Sequence, residues 1–110
     1  MKQYVIDELR PADFEKIKAY LDAHFSVPTF PGLYWVDIEK DRLSELQKKH
    51  QTCQPHYFAL ELLPERLCCE LLVRSREKIR CNCIQYATKN QRDWLVEVMD
   101  AIFEKLEIKT

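Results

Sequence analysis

Residues 56–86 constrain the fold more than any other stretch of the chain. His56–Leu63, Leu67–Arg74 and Ile79–Tyr86 each carry the β-branched, aromatic and alternating apolar residues of a strand, with only Pro64-Glu65 and Ser75–Lys78 as marked turns between them. Connections that short imply antiparallel neighbours, because a parallel crossover needs a dozen residues or more. A turn at Pro64-Glu65 sets Leu62 opposite Leu67, Leu60 opposite Cys69 and Phe58 opposite Leu71. Side chains alternate along a strand, so these residues share one apolar face and leave Tyr57, Glu61, Glu70 and Arg74 on the wetter one. The register of the third strand follows from the length of the 75–78 loop.

An apolar sheet face needs a cover, and two amphipathic helices supply it. Thr88 followed by Gln91 is a capping box, and Leu95, Val98, Ile102 and Leu106 then recur at helical spacing, widened by Trp94, Met99 and Phe103. This predicts a helix over about 89–106. Pro11 at a first helical position, with Asp13 and Glu15 in the positively polarised first turn, opens another over about 11–25, where Phe14, Ile17, Leu21 and Phe25 share a face. Ser26–Gly32 holds Pro28, Pro31 and the chain's only glycine, and reads as a loop. Leu33–Ile38 favours a strand. A short polar helix over about 41–50 follows, with Asp41 as its cap and only Leu43 and Leu46 to bury. Residues 3–8 fit either a short strand or a helical turn, since their alternation is poor. The expected fold is α+β: a two-layer sandwich with a mainly antiparallel sheet (the meander 56–86, strand 33–38 and the optional 3–8) and its helices on one side.

At 110 residues the chain is expected to form a single domain, 1–110. With 46% hydrophobic residues it has enough apolar material for a core without disulfides or metal. A formal net charge of -1 argues against nucleic acid, whose binders owe most of their affinity to a basic surplus. No apolar run approaches the ~18 residues of a membrane span, and Met1–Asp7 lacks the apolar segment of a secretory signal. The odd count of five cysteines then reads as reduced thiols in a cytoplasmic protein.

The cysteines are the first candidates for chemistry. On a strand, Cys81 and Cys83 point the same way with Cα atoms roughly 6.7 Å apart, close enough for their sulfurs to converge on zinc or iron. Were Val73 paired with Cys81, Cys69 would join them diagonally, with Cys68 facing away. Plain core packing is the preferred account of Cys69, Cys81 and Cys83, because free cysteine behaves as a small hydrophobe and the spacing lacks the CxxC pairs of common zinc modules. A second cluster, His50, Cys53 and His56, puts two imidazoles and a thiol on one segment without a standard zinc spacing. His50 at a helix C-terminus is also explained by the helix dipole. The basic run Arg74–Arg80 reads as a solvated hairpin tip. Tyr34 and Trp35, facing opposite ways beside a loop, offer one aromatic side chain to an interaction surface.

One glycine excludes Walker and dinucleotide loops, and no serine lies in a nucleophile elbow. The expectation is therefore a non-catalytic interaction or accessory module that forms a homodimer or serves a protein partner, without a cofactor. The alternative is a thiol or metal protein built on the cysteine cluster. A small-molecule enzyme built on His50–Cys53–His56 would require a cleft at that segment.

Overall fold

The computed structural model describes residues 2–25 and 30–109. In chain order the elements are β1 (Gln3–Ile6), α1 (Pro11–His24), β2 (Leu33–Asp37), α2 (Glu45–Lys49), β3 (His56–Leu63), β4 (Arg66–Glu70), β5 (Leu72–Ser75), β6 (Gln85–Tyr86) and α3 (Lys89–Lys105). Single 3-10 turns, Lys40–Arg42 and Gln51–Cys53, flank α2. The expected α+β architecture is present, with six strands, all neighbours antiparallel, and three helices among the described residues. Among the described residues no helix is long and apolar enough to cross a membrane.

The sheet has four rows. β2 forms one edge and pairs with β3, and β3 pairs in turn with β4 and β5, which lie end to end. β1 and β6 share the far edge, β1 against β4 and β6 against β5. The hairpin register is the expected one at Leu62↔Leu67 and Leu60↔Cys69. It stops before Phe58 and Leu71, which do not pair. The ladder resumes at Tyr57↔Arg74, so residues 70–73 of the second strand stand opposite only residues 58–59 of the first. Two surplus residues make a bulge, which bends the strand and divides the expected Leu67–Arg74 in two. The Leu71 amide donates to the Lys2 carbonyl at 3.0 Å and the Ala87 amide to the Leu71 carbonyl at 2.8 Å, so the outer edge passes from β1 to β6 at this break.

One face carries the core. Tyr34, Val36, Phe58, Leu60, Leu62, Leu67, Cys69 and Val73 are buried beneath Ile17 and Leu21 of α1 and Leu95, Met99, Ile102 and Phe103 of α3. The Phe58 and Trp94 rings stack with centroids 6.3 Å apart. Thr88 and Gln91 form the expected capping box at the start of α3. At α1 the bonds run one way: the Arg10 amide and guanidinium both donate to the Asp13 carboxylate.

Several expectations are corrected. The helix over 41–50 shrinks to α2, capped by Ser44 rather than Asp41, because Ser44 and Gln47 form a capping box of their own. Residues 79–84 are not strand. The Ser75 hydroxyl accepts the Glu77 and Lys78 amides at 3.1 Å each and turns the chain off the sheet. A second turn, Ile84 amide to Cys81 carbonyl at 3.0 Å, precedes β6. Val73 consequently faces Gln85 instead of Cys81. Tyr34 is buried with 1% of its surface exposed, its hydroxyl donating to Asp22 Oδ1 at 2.6 Å, so it belongs to no interaction surface. Of the Ser26–Gly32 loop, residues 26–29 lie outside the described residues. Phe30–Leu33 closes as a turn, with Gly32 at φ +84°, a conformation that favours glycine.

Candidate metal centre

The two candidate clusters meet as one. One donor atom from each of His50, Cys53, Cys81 and Cys83 lies within 4.8 Å of every other. Each cluster supplies two of the four, and in each the third member lies elsewhere. Cys69 is fully buried opposite Leu60 and beside Tyr4 in the core, because the register that would have brought it to Cys81 is not the one adopted. His56 sits behind the group, its Nε2 3.4 Å from Cys83 Sγ.

Local structure explains how side chains so far apart in sequence converge. His50 ends α2, and its carbonyl accepts the Cys53 amide at 3.0 Å, which coils His50 and Cys53 into one turn with their donor atoms on the same side. Strand pairing sets His56 beside Ser75, so this turn lies against the start of the 76–84 loop. Two hydrogen bonds seal that junction: Ser75 Oγ donates to the Cys53 carbonyl, and the Arg76 amide to the Pro55 carbonyl at 3.0 Å. The loop then returns Cys81 and Cys83 over the turn.

A chain of buried amides fixes the far side. Gln47 Nε2 donates to the Cys83 carbonyl at 3.1 Å, and Gln47 Oε1 accepts Gln91 Nε2 at 2.9 Å and the Ser44 amide at 3.0 Å. Gln91 Nε2 also donates to the Arg42 carbonyl at 3.0 Å, while Gln91 Oε1 accepts the Thr88 amide at 3.1 Å. Two helix caps thus share one network, and it ends on the backbone of Cys83. Both glutamines are 1% exposed, and fully satisfied buried networks of this kind hold their members in one arrangement.

The separations among His50, Cys53 and Cys81 are close to those around a single tetrahedral ion, and Cys83 Sγ lies within 4.8 Å of all three donors. With metal–sulfur bonds of about 2.3 Å and metal–nitrogen bonds of about 2.0 Å, tetrahedral geometry requires roughly 3.8 Å between sulfurs and roughly 3.5 Å between nitrogen and sulfur. Cys53 Sγ and Cys81 Sγ are 3.7 Å apart, and His50 Nδ1 lies 3.1 Å from Cys81 Sγ and 4.0 Å from Cys53 Sγ. Electrostatics agree. The Cys83 backbone amide, followed by the Cys83, Cys53 and His50 side chains, pulls the Cys81 thiol down to about 6, whereas burial and the neighbouring sulfurs push Cys83 up to about 12. Without a cation, one thiolate at this site suppresses the next, and a bound dication reverses that opposition.

No protein-family model matches the chain, no curated protein is significantly similar to it, and no solved structure matches it. The donor set is therefore read from its own geometry.

The remaining candidates fall into place separately. Trp35 is half-buried on the open sheet face and stacks on Tyr57 at 4.3 Å between centroids, with the Arg76 guanidinium 4.9 Å from its ring. Arg76 is held by Asp37 at 2.7 Å, and Arg74 by Glu70 at 2.6 Å. Ile79, assigned to a strand from its β-branched side chain, is 94% exposed at the loop tip. A cleft of about 800 Å³ does open beside the His50–His56 segment. Sequence reading missed Ser75 and Gln47, which position the centre, and took Gln91 only as half of a helix cap without its bond to Gln47. The Ser44-x-x-Gln47 spacing, a capping box equivalent to Thr88-x-x-Gln91, was the available signal.

Proposed function

We propose that this protein is a zinc-binding domain whose ion is held by His50 Nδ1 and by the thiolates of Cys53, Cys81 and Cys83. The convergence of these four donors, all within 4.8 Å of one another, carries the reading. One imidazole and three thiolates form a donor set of structural zinc, and soft sulfur ligands disfavour magnesium and calcium. Four protein ligands close the coordination sphere, leaving no position for substrate, so the ion's role is architectural and the protein non-catalytic. Zinc then fastens the 76–84 loop to the α2–β3 connection, where no secondary structure holds it. His56, kept neutral chiefly by burial, provides an Nε2–H donor to the Cys83 thiolate, the kind of outer hydrogen bond that orients a ligand and tempers its charge. A loop fastened in this way presents Ile79 to solvent, which accords with an accessory or interaction role.

Native mass spectrometry of freshly reduced protein, set against its denatured mass, tests the assignment. One zinc per chain is expected, lost in Cys53→Ser and Cys81→Ser but retained in Cys68→Ser and Cys69→Ser. Failure of reduced protein to take up stoichiometric zinc in competition with a chromophoric chelator rejects the reading, and an iron signature replaces zinc in it.

A further inference from the structure

The cleft beside the metal centre has a composition of its own. Ile38, Leu43 and His56, all buried, form its floor, and the exposed Lys40, Lys48 and Gln51 stand at its rim. Its volume of about 800 Å³ falls in the range of roughly 300–1,000 Å³ typical of small-molecule sites. None of the described residues that line it is acidic. Among the described residues, neither lysine ammonium has an ion-pair partner, although five other cation–carboxylate pairs form on this chain.

We infer that this cleft binds a small amphiphilic anion, an apolar body with one carboxylate or phosphate head. Ile38 and Leu43 receive the body, and Lys40 and Lys48 hold the head through charge-assisted hydrogen bonds. Two cations over an apolar floor favour such a ligand over a neutral one, which leaves both ammonium groups unused, and over a bare inorganic ion, which leaves the floor wet. None of the cleft residues is one of the four metal donors, so the site stands or falls apart from the metal.

The test uses octanoate and hexyl phosphate as probes, with octanol and inorganic phosphate as controls, by calorimetry and amide chemical-shift mapping on the whole chain. Saturable one-to-one binding of at least one anionic amphiphile is expected, with shifts centred on Ile38, Leu43, Gln51 and His56. Whichever probe binds tighter names the head group. Octanol and inorganic phosphate should each bind at least about tenfold more weakly, as should the Lys40→Gln/Lys48→Gln double variant towards the anionic probe, since each charge-assisted bond contributes roughly a factor of ten. Lys49→Gln, outside the cleft, should bind as the parent does. Equal unfolding midpoints for these surface variants exclude loss of fold as the cause. Absence of saturable binding, shifts that map elsewhere, or affinity unchanged by the double substitution overturns the inference. Binding by a protein that retains no zinc upholds it while rejecting the metal centre.

Discussion

Gln47→Leu is the most informative single substitution. The side chain is 1% exposed and takes part in bonds to the Cys83 carbonyl, the Ser44 amide and Gln91. Leucine has similar bulk but no polar atoms. The Cys83 carbonyl then loses its side-chain donor, a cost of about 1–3 kcal/mol for a buried group. Loss of the glutamine half of the α2 capping box adds about 0.5 kcal/mol, and the apolar side chain recovers up to about 1 kcal/mol by burial. Gln91 keeps its bond to Arg42, so its amide is not stranded. The balance is a loss of about 0.5–3.5 kcal/mol, and a chain of this size shifts by about 4 °C per kcal/mol, so the melting temperature should fall by roughly 2–14 °C. Urea unfolding of metal-free Gln47→Leu, Gln91→Leu and the double variant measures this. Because the two glutamines bond directly, the double variant should be less destabilised than the sum of the single ones by more than about 0.5 kcal/mol. A Gln47→Leu protein within about 0.5 kcal/mol of the parent, or strict additivity, refutes the claim that this network holds the Cys83 backbone.

Two further outcomes follow from the fold. Burial raises the Cys69 thiol from its ordinary 9.0 to about 12, so above pH 9 the unfolded chain releases this proton while the folded protein keeps it. Stability should therefore fall as pH rises from about 9 towards 12, in metal-loaded as in metal-free protein, and alkaline unfolding of Cys69→Ala should lack this component. Arg76→Ala removes the ion pair with Asp37 and uncovers the Trp35–Tyr57 stack. A red shift in tryptophan emission with a stability loss of about 1 kcal/mol or less is expected, because the ion pair is exposed; an unchanged spectrum places the guanidinium elsewhere in solution.

Much of the fold could be read from local chemistry. Pro64-Glu65 confines the hairpin to one register, so Leu62↔Leu67 and Leu60↔Cys69 followed from the turn alone. α3 announced itself by a capping box and a long apolar stripe. Ile79–Ile84 misled for a physical reason. Its residues suit a strand, but the path there is set by the Ser75 hydroxyl taking two amides and by the Cys81–Ile84 turn, and a strand pattern registers neither. The bulge at 70–73 was hidden likewise, since nothing in Glu70-Leu71-Leu72-Val73 departs from strand composition. The candidate centre was legible only in halves. Cys53 and Cys81 stand 28 positions apart and meet through the pairing of His56 with Ser75, a tertiary event that neither the His50-x-x-Cys53 nor the Cys81-x-Cys83 spacing encodes. The Tyr34–Trp35 alternation was read correctly as a division between faces, whereas which face was buried depended on Tyr34 reaching Asp22 of α1.

The position of β1 bears on synthesis. Its ladder partner is β4, with Ile6 opposite Leu67, so the strand leaves the ribosome about sixty residues ahead of the one that receives it. At translation speeds of about 5–20 residues per second, that is a wait of roughly 3–12 s with an unpaired β-strand in solution. Lys2, Asp7 and Glu8 bracket Gln3–Ile6 and remain exposed in the finished sheet, where they contribute nothing to the core. Charges at a strand's ends oppose pairing with another chain, so these side chains matter most to the nascent polypeptide, before the domain exists.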